Sequence, residues 1–348
     1  MPMHMADALI SPAVGGTMWA ATAGLTYYSA KKLKQNVDEH IVPLMGVLGA
    51  FIFAAQMLNF TIPATGSSGH LGGGMILAIM LGPYAAFLVM ASVLTIQALF
   101  FADGGLLALG CNIINLGFFP CFIAYPFIYK KIAGPQPTQG RILMGAMAAA
   151  IISLQLGAFG VVLETIFSGI AELPFSTFVL LMLPIHLAIG IVEGLVTAAV
   201  VSFVWKVHPH TLTLATTTAS ARRHSHAPLL IGLALFAVVA GGMLSWFAST
   251  HPDGLEWSIK GVSGQEELEA PKDGVHGAMA GIQGKLALLP DYNFKKPEEE
   301  KSGKPEAESW PEVSAGKSLA GILGAALTLL LAGGIGFGLR RYFSHGKI

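Results

Sequence analysis

Charge is what this chain has least of. Of its 348 residues only 11% are Asp, Glu, Lys or Arg, against about 25% in an average soluble domain. That shortage excludes an ordinary water-soluble fold, and a formal net charge of zero leaves no basic field for nucleic acid. Cysteine is almost missing as well. Cys111 and Cys121 lie in one apolar run, and on a helix their spacing puts them about 15 Å apart, beyond the reach of a disulfide. No GxxxxGK[ST] phosphate loop occurs, so the chain has no such ATP site with which to drive work itself. The first dozen residues lack the basic n-region of a cleavable signal peptide and contain Asp7 and two prolines, so none is expected.

What fills the space is apolar. Hydrophobic residues make up 53% of the chain, mean hydropathy is +0.64, and 42 residues are glycine. Small residues are frequent in membrane helices because they let backbones approach. Apolar runs occupy 14–29, 41–60, 71–82, 84–101, 105–129, 142–167, 177–205, 228–248 and 318–339. A span needs roughly 20 residues, so 14–29 and 71–82 are marginal. The distribution of Lys and Arg decides the second. With a break at Gly82-Pro83, the inner segments hold Lys31, Lys32, Lys34, Lys130, Lys131, Arg141, Lys206, Arg222, Arg223, Arg340, Arg341 and Lys347, and the short outer ones hold none. The expectation is an all-α integral membrane protein of about nine transmembrane helices, with its amino terminus outside and its carboxy terminus cytoplasmic.

Three regions follow. Residues 1–206 form a seven-helix bundle, 207–227 a cytoplasmic linker rich in Thr, Ala, Ser and His, and 228–348 a two-helix domain with an external loop over 249–316. That loop contains the acidic, proline-broken run of 295–312, too polar to bury a core. It is expected to be largely flexible.

On this topology His4 and His70, the latter in Gly66-Ser67-Ser68-Gly69-His70, face the same outer side. An imidazole close to an amino terminus offers a metal the amine, intervening amides once deprotonated, and the ring. Nitrogen-rich sets of that kind suit square-planar nickel or copper better than magnesium or calcium.

The stretch Met3-His4-Met5-Ala6-Asp7-Ala8-Leu9-Ile10-Ser11-Pro12 resembles the opening of the CbiM/NikM family, the substrate-specific (S) components of energy-coupling factor cobalt and nickel importers. Ser67-Ser68-Gly69-His70-Leu71-Gly72-Gly73 is similar to that family's second metal-binding segment. His251-Pro252-Asp253-Gly254-Leu255-Glu256-Trp257 resembles the PDGLE signature of the NikN-type accessory subunit. The two matches together cover nearly the whole chain, which looks like an M–N fusion.

The resemblance implies a cell-membrane subunit that carries Ni²⁺ or Co²⁺ as cargo, with no prosthetic group and no enzymatic activity. It also implies partners: a coupling membrane subunit (the T component) and separate ATPase subunits, all in contact with membrane lipid. Carried over, the metal ligands are the Met3 amine, the His4 amide and ring, and the His70 ring. Met1-Pro2 precede the family's start. Initiation at Met3 restores the family pattern. Loss of Met1 makes the Pro2 amine the first ligand, and an intact Met1 is the poorest case, because the Pro2 nitrogen is a tertiary amide.

Around this core, Asp7, Asn59 and Asn112 are candidates for fixing an imidazole or for ordinary polar packing. Gly46, Ala50 and Ala54 form a small-residue stripe that serves internal packing or docking of the partner membrane subunit. Asp253, Gly254, Leu255, Glu256 and Trp257 read as a turn followed by an apolar docking pair. His186 and Glu193 are ionisable groups inside an apolar run, and His208, His210, His224 and His226 lie in the linker. A rival reading is an enzyme. Gly66-Ser67-Ser68-Gly69 matches the GxSG of rhomboid intramembrane serine proteases, and His186-xxx-Gly190-xxx-Gly194 is similar to their histidine helix. A passive or purely structural membrane subunit is the third.

Overall fold

A computed structural model describes residues 4–34, 41–207, 227–295 and 310–344. Its long helices are α1 (Pro12–Lys34), α2 (Ile41–Gln56), α4 (Pro83–Phe101), α5 (Leu109–Ala133), α6 (Gln139–Ser168), α7 (Phe175–Val207), α8 (Ala227–Gly242) and α11 (Ala315–Ser344). Five of them (α4, α5, α6, α7 and α11) are long and apolar enough to cross a membrane. Their outward faces carry large apolar side chains such as Phe167, Leu180 and Leu330, as a lipid-facing surface requires. The chain is an all-α membrane protein. The linker histidines and the acidic run from 296 to 309 lie outside the described residues.

The 71–82 run differs from a full helical pass. Only Gly74–Leu81 is helical (α3), about 12 Å of rise. Before it the chain is extended. A two-stranded hairpin pairs β1 (Phe60–Ile62) with β2 (Ser67–Gly69), Phe60 opposite Gly69, and residues 70–73 continue inward to Gly73, whose positive φ of 76° starts the helix. Non-helical backbone at this depth is tolerated only when protein partners satisfy it. Here one side chain on α7 does so: Glu193 accepts from the backbone N–H groups of Gly72 at 2.6 Å and Gly73 at 3.0 Å.

Helix α5 departs from α-geometry. Over Ile114–Tyr129 it winds as a π-helix, with Pro120 and Pro126 inside. Proline removes a donor and clashes with the preceding turn, and a wider winding is one way to accommodate it.

The described residues before α1 pack into the bundle. Met5, Leu9 and Ile10 are buried among Leu107, Cys111, Val162, Phe178 and Met182, so this segment plugs one end of it. Gly105 makes room for it, because a Cβ there would stand 1.8 Å from Asp7 Oδ1.

One expectation is corrected and one pair of alternatives is narrowed. The segment 249–295 is folded: it forms α9 (Gly254–Ser263) and α10 (Gly274–Leu286) and buries Ile259, Ala287, Leu289 and Tyr292. Sequence polarity further along the loop hid this apolar set. The stripe Gly46, Ala50, Ala54 is buried within the chain rather than open to a partner. A Cβ on Gly46 would stand 2.9 Å from the Leu329 carbonyl of α11, so small residues here let the last helix pack against α2.

Candidate metal-binding site

His4 and His70 meet at the end of the bundle that the amino-terminal segment plugs. Their rings lie edge to face, centroids 5.4 Å apart and planes at 77°. His4 comes in on the buried amino-terminal segment, which is held by its backbone. Met5 N–H donates to Asn112 Oδ1, and Asn112 Nδ2 donates back to the Met5 carbonyl, both at 3.1 Å. Two residues on, Asp7 Oδ1 accepts from the Ala108 N–H at 2.9 Å. His70 comes in on the extended chain that Glu193 anchors.

The hydrogen bonds set the two imidazoles in opposite tautomers. His4 Nε2 bonds Gln97 Oε1 at 3.0 Å, and an amide oxygen only accepts, so Nε2 carries the proton and Nδ1 the lone pair. His70 Nδ1 bonds the Leu71 carbonyl at 3.1 Å, so there the proton fixed by the bond is on Nδ1. Burial is the main influence on His4 and holds its pKa below the usual value, partly opposed by Asp103, whose Oδ2 lies 3.8 Å from Nε2. A neutral imidazole is the metal-ready form.

A cavity of about 90 Å³ adjoins the pair, lined also by Asn115, His186 and Asp253. His186 is turned so that Nδ1 bonds the Met182 carbonyl of its own helix at 2.8 Å. Among the described residues no group of three or more His, Cys, Asp or Glu side chains is arranged to hold a metal ion. Met3 and Pro2, the candidate first ligands, lie outside the described residues.

The accessory segment covers this site. Asp253, expected in a turn, is instead the N-cap of α9: its Oδ1 accepts from Leu255 and Glu256 N–H, both at 2.8 Å, while Glu256 Oε2 accepts from Asp253 N–H at 3.0 Å. Asp-Gly-Leu-Glu is thus a capping box. Gly254 sits where a Cβ would meet His186 Cε1 at 3.1 Å, and Leu255 lines the cavity. Trp257 Nε1 donates to the Thr65 carbonyl at 3.0 Å, and Ser68 N–H donates to the Pro252 carbonyl at 2.7 Å. Burial raises Asp253 to about 6 and Glu256 to about 8, the latter pushed further by Asp253.

Two family models match. CbiM, the cobalt uptake substrate-specific transmembrane region, matches residues 4–211, and the PDGLE domain matches residues 227–341. The chain belongs to the CbiM family, with a PDGLE domain fused behind it. A protein of Archaeoglobus fulgidus that bears the fused nickel transport designation NikMN is 33% identical over 352 residues, covering 98% of this chain and 99% of its own. The fused nickel transport protein NikMN of Rhodobacter capsulatus is 30% identical over 311 residues, 83% of this chain and 88% of its own. A crystal structure of a transition metal transporter is similar with a TM-score of 0.52 and 31% identity, covering 59% of this chain and 93% of its own.

Of the residues expected around the imidazoles, Asp7 and Asn112 hold the amino-terminal backbone, and Asn59 accepts through its main-chain oxygen from Ser249 N–H at 2.9 Å. The side chain that bonds the His4 ring is Gln97, which in turn bonds Gln56. Both glutamines stand inside apolar runs, where a polar residue is itself a signal. Among the described residues the GxSG serines form no dyad. Ser67 Oγ donates to the Ser68 carbonyl, and Ser68 Oγ to the His251 carbonyl at 2.8 Å.

Proposed function

We propose that this chain is the substrate-capturing membrane subunit of an energy-coupling factor importer, with Ni²⁺ as the favoured cargo and Co²⁺ as the second. The observation that carries the reading is the His4–His70 pair: two imidazoles in edge-to-face contact, each with one ring nitrogen fixed by a hydrogen bond, at the end of the bundle that the amino-terminal segment plugs. In the Nε2–H form, His4 presents Nδ1 toward its own main chain, so that its amide nitrogen and ring close a six-membered chelate. With Met3 first, its terminal amine supplies the next donor and His70 Nε2 completes the set; with Pro2 first, its amine and the Met3 and His4 amides fill the plane with the His4 ring, leaving His70 axial or idle. Nitrogen donors with deprotonated amides favour the square plane that suits nickel, and the nickel designation of the two fused relatives supports the same choice.

Transport against a gradient then falls to partners. The chain carries no nucleotide-binding motif of the phosphate-loop type, so ATPase subunits and a coupling membrane subunit are the expected company, with the amino terminus and the site on the outer side of the cell membrane. The test is metal content and uptake together. Protein purified from cells given equal nickel and cobalt should retain one equivalent of metal, mostly nickel, and uptake should require co-expressed ATPase and coupling subunits. A chain that retains neither metal would remove the capture role.

A further inference from the structure

His4 does not reach its tautomer alone. Behind its ring runs a directed chain of side-chain amides, all fully buried. Gln56 Nε2 donates to the Gly72 carbonyl at 2.9 Å, which fixes the orientation of that amide, because a backbone carbonyl has no proton to give. Gln56 Oε1 is therefore left to accept, and Gln97 Nε2 donates to it at 2.9 Å. That fixes Gln97 in turn and points its Oε1 at His4 Nε2.

The accessory domain reaches the same nitrogen by another route. The Tyr292 hydroxyl donates to Asp103 Oδ2, the oxygen that lies 3.8 Å from His4 Nε2. Tyr292 is held there by stacking on Phe101, centroids 5.1 Å apart and planes at 13°, while Leu288 and Leu289 N–H both donate to the Phe100 carbonyl.

We infer that Gln97 is a positioning residue that holds His4 as the Nε2–H tautomer, with its own amide oriented by Gln56, while Tyr292 of the PDGLE domain holds Asp103 beside the same nitrogen. This rests on the capture reading for its purpose, although the tautomer itself is a property of the metal-free chain. Its consequence is a link between the two ligands, since the Gly72 carbonyl that starts the chain lies two residues beyond His70.

The test is ¹⁵N NMR of histidine-labelled, metal-free full-length protein, with His4 assigned from a His4→Gln spectrum, alongside Ni²⁺ titration. Wild type should show His4 protonated at Nε2. Gln97→Met, close in volume but without the acceptor, should lose that single tautomer and bind Ni²⁺ about 10–100-fold more weakly, the usual effect of removing a partner behind a metal ligand. Gln97→Glu keeps an acceptor in place and should restore the Nε2–H signal. Gln56→Met removes the oxygen that orients the Gln97 amide and should mix the tautomers while the helices remain intact. If Gln97→Met does not fold, Gln56→Met carries the test. A wild-type His4 signal in Gln97→Met or Gln56→Met, whichever folds, would overturn the inference. Wild-type protein with the expected tautomer and no Ni²⁺ binding would instead remove the capture reading and leave the positioning role standing.

Discussion

The rings of His4 and His70 lie edge to face with centroids 5.4 Å apart, although 66 positions separate them in the chain. Neither belongs to a helix, so each can be truncated without opening a membrane-spanning segment. His4→Ala and His70→Ala should each abolish stoichiometric retention of nickel or cobalt while leaving helix content and detergent elution unchanged. Metal analysis of the purified variants decides it: full retention by either one removes that residue from the ligand set.

The amine is the next ligand in line. An amino-terminal tag turns it into an amide and should cost metal retention, whereas the same tag at the carboxy terminus should not. Mass spectrometry of metal-loaded protein should find Met3 or Pro2 as the first residue. Metal-loaded protein beginning with an intact Met1 would show that the first donor is assigned wrongly, because the following Pro2 nitrogen cannot ligate as an anion.

Glu193 acts at a distance from the metal by holding the chain that carries His70. Its carboxylate accepts two buried N–H groups, and each donor left bare in such a place costs about 1–3 kcal/mol. Glu193→Leu should therefore lower the melting temperature and weaken Ni²⁺ binding, while Glu193→Gln, which keeps one acceptor, should fall between. Thermal unfolding and Ni²⁺ titration of the two variants test this. Unaltered metal affinity in Glu193→Leu would mean that the extended chain is held by other contacts.

Much of this was legible before any coordinates. The scarcity of charge and the apolar runs give a helical membrane protein, and the amino-terminal motif with the Gly-His segment gives the two histidines that the fold brings together. What the pattern hid is instructive. The 71–82 run reads as a helix because it is uniformly apolar, yet Gly72, Gly73 and Gly74 leave its first part extended and dependent on Glu193. Asp253 and Glu256 read as a turn and a charge, although their spacing is that of a capping box. Gln56 and Gln97 escaped notice because a hydropathy profile averages them away, and their role depends on four separate segments meeting at one point. No spacing within one element could have announced that.

Trp257 ties the accessory segment to the hairpin that precedes His70. Its Nε1 donates to the Thr65 carbonyl, and its ring packs near Ile62, Ile185 and Ile189. Trp257→Ala removes both contacts and should lower metal loading and uptake several-fold, whereas Trp257→Phe should retain the packing and most of the activity. Shortening the acidic run within 295–310, of which 296–309 lie outside the described residues, should change little. Uptake by cells carrying each variant is the measurement. Wild-type uptake by Trp257→Ala, together with collapse on shortening the run, would reverse the two roles.

Acidity should also act on the cover through the capping box. Burial holds Glu256 at about 8 in the closed form, against about 4.5 when the group is exposed. Between those values the closed form keeps a proton that the opened form releases, so opening gains favour as pH rises. The contribution of Glu256 to closure is fully present below about 4.5 and is lost as pH climbs through about 8, after which both forms are ionised and the slope ends. Hydrogen exchange of the amides in α9, corrected for its intrinsic pH dependence, should therefore show greater opening at pH 8 than at pH 5. In Glu256→Gln the side chain cannot ionise but still accepts from the Asp253 N–H, so the difference due to this group should vanish while the helix stays capped. Equal pH dependence in the variant and the wild type would place the sensitivity elsewhere, with Asp253, raised to about 6 by the same burial, as the next group to replace.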